Sequence, residues 1–491
     1  MKPQPFKLLF LCLVLVFNFS CERKSRNTET IPVQEEISNS TSIAETSDMP
    51  DIEAADLKIK IYIENSGSMF GYVKGSTQLK DALQNLLVDL KYIYDEENIE
   101  LYFINSKIHK SPIKSELTEF AEKLSPYSIK IGETGSSNLN NIFKQVTSEI
   151  GENSISILLS DFIYSIKGKN SIALLGEQQA LTKDVFLTAS KKGQDLTTNV
   201  YQFFSDFDGT YYDFNNKPDQ LQASRPYYFA VIGGQKNVSS FTAKVGALFR
   251  NYSGYSNEYL LTGENFSIEN YSVLTATLNN GRLKPVRKRG TAIQVREIEL
   301  EESSRSNDNT EIAIVVDLSD LKITENYKTN RTNYIIENEV FSLKSIGVVN
   351  EKEIQFEDGS TIIISPADLL NIDFSPTHVF VFKANDKTIE NLNFTLNRNI
   401  PNWIFESSLS DDSDLASNTK KQSKTFGLNY LIDGITDAYL QATKKDQYFN
   451  INIPIHKEKS SSFGGTAMTV IFVAVLIGLI LLIISKSKKR K

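Results

Sequence analysis

Residues 57–69 read LKIKIYIENSGSM. Leu57, Ile59, Ile61 and Ile63 alternate with Lys58, Lys60 and Tyr62, the period-2 pattern of a strand with one apolar face. The alternation stops at a carboxylate and a group of hydroxyls, Glu64, Ser66 and Ser68. Apolar residues then recur at helical spacing: Leu79, Leu83, Leu86, Leu87, Leu90 and Tyr94. A buried strand therefore hands Glu-x-Ser-x-Ser to the loop at its carboxyl end, just ahead of a helix. In an open α/β sheet that is where ligands bind.

Two more segments extend the pattern. Thr134-Gly135-Ser136-Ser137-Asn138-Leu139 places a hydroxyl loop before a second amphipathic helix (Leu139, Ile142, Phe143, Val146, Ile150). Residues 154–161, SISILLSD, form an apolar strand ending in the carboxylate of Asp161. Together the three pieces resemble the von Willebrand factor type A family and its metal-ion-dependent adhesion site, whose pattern is Asp-x-Ser-x-Ser, a loop Thr, and an Asp ending a later strand. The resemblance implies a doubly wound, mostly parallel α/β domain over residues 57–250. It also implies Mg²⁺, or another divalent cation such as Mn²⁺, held by Glu64, Ser66, Ser68, Ser137 and Asp161. Ser137 keeps the hydroxyl of the family Thr, whereas Glu64 departs from the family Asp and carries its carboxylate one methylene further out. Hard oxygen ligands of this kind suit Mg²⁺, which binds them at about 2.1 Å and leaves room for water or a partner's carboxylate. The alternative is a Ser/Gly turn without a metal.

The ends of the chain have their own chemistry. Residues 1–20 carry Lys2 and Lys7 ahead of an apolar run and read as a signal peptide. Ser20-Cys21 resembles the bacterial lipoprotein processing site, which implies lipidation of Cys21. Residues 21–56 lack aromatics and are rich in Ser, Thr and acids, the composition of a disordered tether. Both cysteines, Cys12 and Cys21, lie at this end, so the rest of the chain has no cysteine for a disulfide. Residues 467–484 are uncharged and are followed by Lys486, Lys488, Lys489, Arg490 and Lys491. This predicts a transmembrane helix over 466–485 with a cytoplasmic basic tail, 486–491, and hence a single-pass protein with its N-terminus outside.

Between these ends, residues 255–400 show short alternating runs broken by Asn, Asp, Gly and Ser, which predicts a β-sandwich-like domain. Residues 401–465 predict a helix, a strand and a linker. Ser205-Asp206-Phe207-Asp208-Gly209 reads as a turn. A net charge of −7 argues against a nucleic-acid partner, and three scattered histidines argue against a His-based zinc site.

The expected function is metal-dependent protein–protein binding or envelope scaffolding by a membrane-anchored, extracytoplasmic protein. Its partner would offer an acidic side chain to the ion. The alternatives are a metal-independent structural component of an envelope assembly and a metal-assisted hydrolase. No serine-triad motif or Cys nucleophile recommends an enzyme.

Overall fold

A computed structural model describes residues 57–457, apart from 136–137, 167, 169, 192–194, 264–265, 279–282, 288–292, 301–309, 385–390 and 445. The first half is built on one seven-stranded sheet. Its strands are β1 Lys58–Glu64, β2 Ile99–Ile104, β3 Ile108–Lys110, β4 Ser154–Ser160, β5 Leu196–Tyr212, β6 Pro218–Gly234 and β7 Tyr255–Thr262, in the spatial order β3-β2-β1-β4-β6-β5-β7.

The sheet is mixed, which corrects the expectation of a mostly parallel one. Only β1 with β2 and β1 with β4 pair in parallel; β2–β3, β4–β6, β6–β5 and β5–β7 are antiparallel. The physical reason lies in a long hairpin. After the helix that follows β4, β5 runs parallel to β4 but one position away, and β6 folds back into the gap between them.

Both faces of the sheet are covered because successive side chains in β1 and β4 point to opposite sides. Ile59, Ile61, Ile63, Ile155, Ile157 and Leu159 share one core with the leucines of α1 (Gln78–Ile93). Tyr62 and Leu158 belong to the opposite core, with α2 (Leu139–Ser148) and α3 (Ser171–Ser190). The side-chain oxygens of Thr77 and Asn138 cap the first turns of α1 and α2.

The β5–β6 hairpin projects beyond the carboxyl end of β4. Ser160 pairs with Tyr228, and the ladder between β5 and β6 continues to Tyr212 and Pro218. The turn expected at 205–209 is therefore strand. Phe207 and Tyr211 point inward, whereas Asp206 and Asp208 face outward, Asp208 pairing with Lys74 at 2.7 Å. The actual turn is 213–217, where Asp213 accepts the N–H groups of Asn215 and Lys217 at 2.9 and 2.8 Å and Asn216 is left-handed at φ 62°. The projecting hairpin packs against the short helical segment Gly67–Val73. Contact is close enough that a Cβ on Gly209 would lie 2.8 Å from the Gly71 Cα.

The second half is strand-rich. A six-stranded antiparallel sheet runs Thr361–Ile363, Glu353–Phe356, Phe341–Asn350, His378–Ala384, Glu311–Val316, Tyr271–Leu274 in space. Ile312, Ile314, Phe380 and Phe382 on one of its faces form a core with Leu392, Phe394, Phe449 and Ile451 of a three-stranded sheet. The C-terminal segment belongs to both halves. Its helix, Leu428–Thr443, lies on α3, and a Cβ on Gly434 would meet the Gln179 carbonyl at 2.7 Å. The strands that follow, Gln447–Ile453 and Ile455–Lys457, complete the strand-rich sheets.

Among the described residues no helix is long and apolar enough to cross a membrane. The expected spanning segment, 466–485, lies outside the described residues, as do Cys21, the tether and the basic tail. The single-pass topology and the transmembrane element of the fold are therefore withdrawn: what folds here is an α/β part joined to a strand-rich part.

Candidate metal centre

β1 and β4 are adjacent and parallel, so their carboxyl ends bring Glu64 and Asp161 to the same edge of the sheet. Glu64 is 2% exposed and Asp161 2%. Neither strand end can place a carboxylate there without compensation, since a buried charge needs a partner or a hydrogen-bonded cage.

Serine hydroxyls supply much of that cage. Ser66 Oγ donates to Glu64 Oε1 at 2.8 Å and lies 3.0 Å from Ser68 Oγ. Ser160 Oγ donates to Glu64 Oε2. The longer Glu side chain is thus held at both oxygens, one from its own loop and one from the neighbouring strand. Ser160 Oγ also accepts the Phe162 N–H at 3.0 Å, and Asp161 Oδ1 accepts the Ile163 N–H at 3.2 Å. Between them Phe162 adopts φ 55°, a left-handed conformation that a bulky residue rarely takes. Stacking on Tyr228, with ring centroids 4.9 Å apart, holds it there.

Asp161 Oδ2 is buried and has no hydrogen-bond partner. Burial, and next the charge of Glu64, push this carboxyl up to about 7, while the neighbouring Ser68 hydroxyl, the Ile163 N–H and Arg225 pull the other way. A buried, unpartnered oxygen on a carboxyl that resists ionisation is satisfied by a proton, a water or a cation.

The second expected loop approaches the first: Gly67 N–H donates to the Thr134 carbonyl at 2.8 Å. Asn65 and Asn105 fix the segment leading into it. Asn65 Nδ2 donates to the carbonyls of Ile129 and Ile131 at 2.7 and 2.8 Å, and Asn105 Nδ2 donates to Asn65 Oδ1 at 3.0 Å. Ser137 itself lies outside the described residues. The structure brings together Glu64, Ser66, Ser68 and Asp161, four of the five expected ligands.

Ser160 and Arg225 belong to the same cluster and carried no local signal in the sequence. Ser160 reads as the last residue of an apolar strand. Arg225 lies within β6 and is 1% exposed.

Hydroxyls and two carboxylates form a donor set that fits a hard divalent ion, with the orphaned Asp161 oxygen as a ready ligand. Among the described residues no group of three or more His, Cys, Asp or Glu that could hold a metal ion stands together, so the donor set is two carboxylates and serine hydroxyls. The chain matches no family model, no curated protein and no solved structure.

Proposed function

We propose that this protein is a binding protein whose Glu64, Ser66, Ser68 and Asp161 hold Mg²⁺ or Mn²⁺, and that the ion takes up an acidic side chain of a protein partner. The observation that carries this reading is the unpartnered, buried Oδ2 of Asp161 beside Glu64, at the carboxyl ends of two adjacent parallel strands. The arrangement proposed is that of a von Willebrand factor type A adhesion site, for which Ser137 is the expected second-loop hydroxyl. A bound ion would supply a Lewis-acidic centre. The chain's own residues do the rest: Ser160 and Ser66 orient Glu64, the strained backbone at Phe162 fixes Asp161, and the Gly67–Thr134 contact holds the loops together. Binding is preferred to hydrolysis because the sequence offers no serine-triad motif and no Cys nucleophile near these residues.

The test is a calorimetric titration of the full chain with Mg²⁺ and Mn²⁺, followed by acetate as a carboxylate probe. Saturable binding that disappears in Asp161→Ala, with acetate taken up only by the loaded protein, supports the reading. Equal metal affinity in the variant refutes it.

A further inference from the structure

Arg225 lies on β6 three residues beyond Tyr228, the last residue of that strand to pair with β4, and so stands over the strand end that carries Asp161. It is among the most deeply buried large side chains of the protein. Its Nη1 donates to the carbonyls of Gln422 and Lys424 at 2.7 and 2.9 Å, and its Cζ lies 4.9 Å from the centroid of the Tyr211 ring. These contacts pin the guanidinium in place. Its Nη2 is buried without a hydrogen-bond partner, as is Asp161 Oδ2. The two groups feel each other's charge, yet they do not close an ion pair. The other buried carboxylate of this region, Asp412, accepts the Tyr211 hydroxyl and the Phe214 N–H, and burial favours its neutral form. A guanidinium stays protonated at any working pH.

We propose that Arg225 is a built-in counter-cation of the Glu64–Asp161 centre and sets its specificity, weakening the hold on the divalent ion and leaving the loaded centre with a net positive charge that selects an anionic ligand. This rests on the metal-site reading above. Glu64 and Asp161 supply two negative charges, and a divalent ion alone would neutralise them. With Arg225 the loaded cluster carries one positive charge in excess, which one carboxylate of a partner cancels. Arg225 is a positioning and specificity residue and is not placed as a metal ligand.

The experiment is a Mn²⁺ titration of the full chain as wild type, Arg225→Gln and Arg225→Lys, with folding of each checked by near-ultraviolet circular dichroism. A fixed neighbouring cation shifts a carboxylate's proton affinity by about 10- to 1000-fold, so R225Q is expected to bind Mn²⁺ at least about tenfold tighter and R225K close to wild type. Acetate uptake by the loaded R225Q protein is expected to fall by a similar factor. Wild-type binding with no gain in R225Q overturns the role of Arg225 and leaves the metal site standing. Binding by R225Q alone overturns the metal site of the natural protein and shows that Arg225 takes the ion's place. Binding by neither overturns both. Should R225Q fail to fold, the Arg225 Nε–H resonance of the wild type decides: a shift on adding Mg²⁺ supports the coupling, and an unmoved resonance overturns it.

Discussion

Replacing Asp161 by asparagine removes a titrating group and leaves its shape, so the stability of this variant against pH isolates the cost of ionising a buried carboxylate. The folded protein holds the Asp161 proton up to about pH 7, while an unfolded chain releases it near 3.8. Between those values the folded state binds more protons, so this group's contribution makes stability fall as pH rises. The loss begins above the unfolded value and is complete above about 7. At about 1.4 kcal/mol per pKa unit, it amounts to about 4 kcal/mol across the window. The amide of the D161N variant loses nothing over that range and can still accept the Ile163 N–H. Urea unfolding of wild type and D161N in chelator, from pH 4 to pH 8, measures the difference, which includes the relief of the coupled Glu64 charge. The expected result is a variant that gains on wild type with rising pH, by an amount approaching 4 kcal/mol, and a wild type in which Mg²⁺ at pH 8 restores the loss while D161N is unmoved. Parallel stability profiles would refute the argument that Asp161 is an uncompensated buried acid.

Two predictions test the fold, one in the strand-rich part and one at the frame around the site. Asp368 is 1% exposed and accepts the backbone N–H groups of Thr275, Ala276 and Thr277 at 2.7–3.2 Å, together with both threonine hydroxyls. Asp368→Ala strands these donors and is expected to cost at least about 3 kcal/mol by denaturant unfolding; a cost below about 1 kcal/mol would contradict it. Gly209→Ala forces a methyl to within 2.8 Å of the Gly71 Cα, so it should destabilise by about 1–3 kcal/mol and weaken Mn²⁺ binding by shifting the 67–73 segment; unchanged stability and affinity would show that the hairpin does not brace the loop.

What could be read in the sequence follows the range of the interactions involved. β1, α1, α2 and β4 announce themselves because period-2 and helical spacing are local, and the parallel pairing of β1 with β4 then collects Glu64 and Asp161. The Leu428–Thr443 helix is legible for the same reason, as is the greater part of α3, but the packing of one on the other is not. The segment near 116–124 has the spacing of a helix and forms two short 3₁₀ turns, Leu117–Glu119 and Ala121–Lys123. The hairpin misleads because Asp206, Asp208 and Gly209 have turn chemistry, while the alternation of Phe207 and Tyr211 with them is that of a strand. The inserted β6 cannot be read locally at all: nothing in residues 218–234 says that they will part β4 from β5. Arg225 is hidden for the same reason, since its bonding partners Gln422 and Lys424 lie almost two hundred residues away.

The central claim is that Glu64, Ser66, Ser68 and Asp161 form a cation site. The most direct measurement is anomalous scattering from crystals of the protein grown with Mn²⁺. The account predicts a single strong peak within bonding distance of Asp161 Oδ2 and bounded by the Ser66 and Ser68 hydroxyls. Saturating Mn²⁺ with no peak there, and Asp161 Oδ2 closed instead onto Arg225, would contradict it.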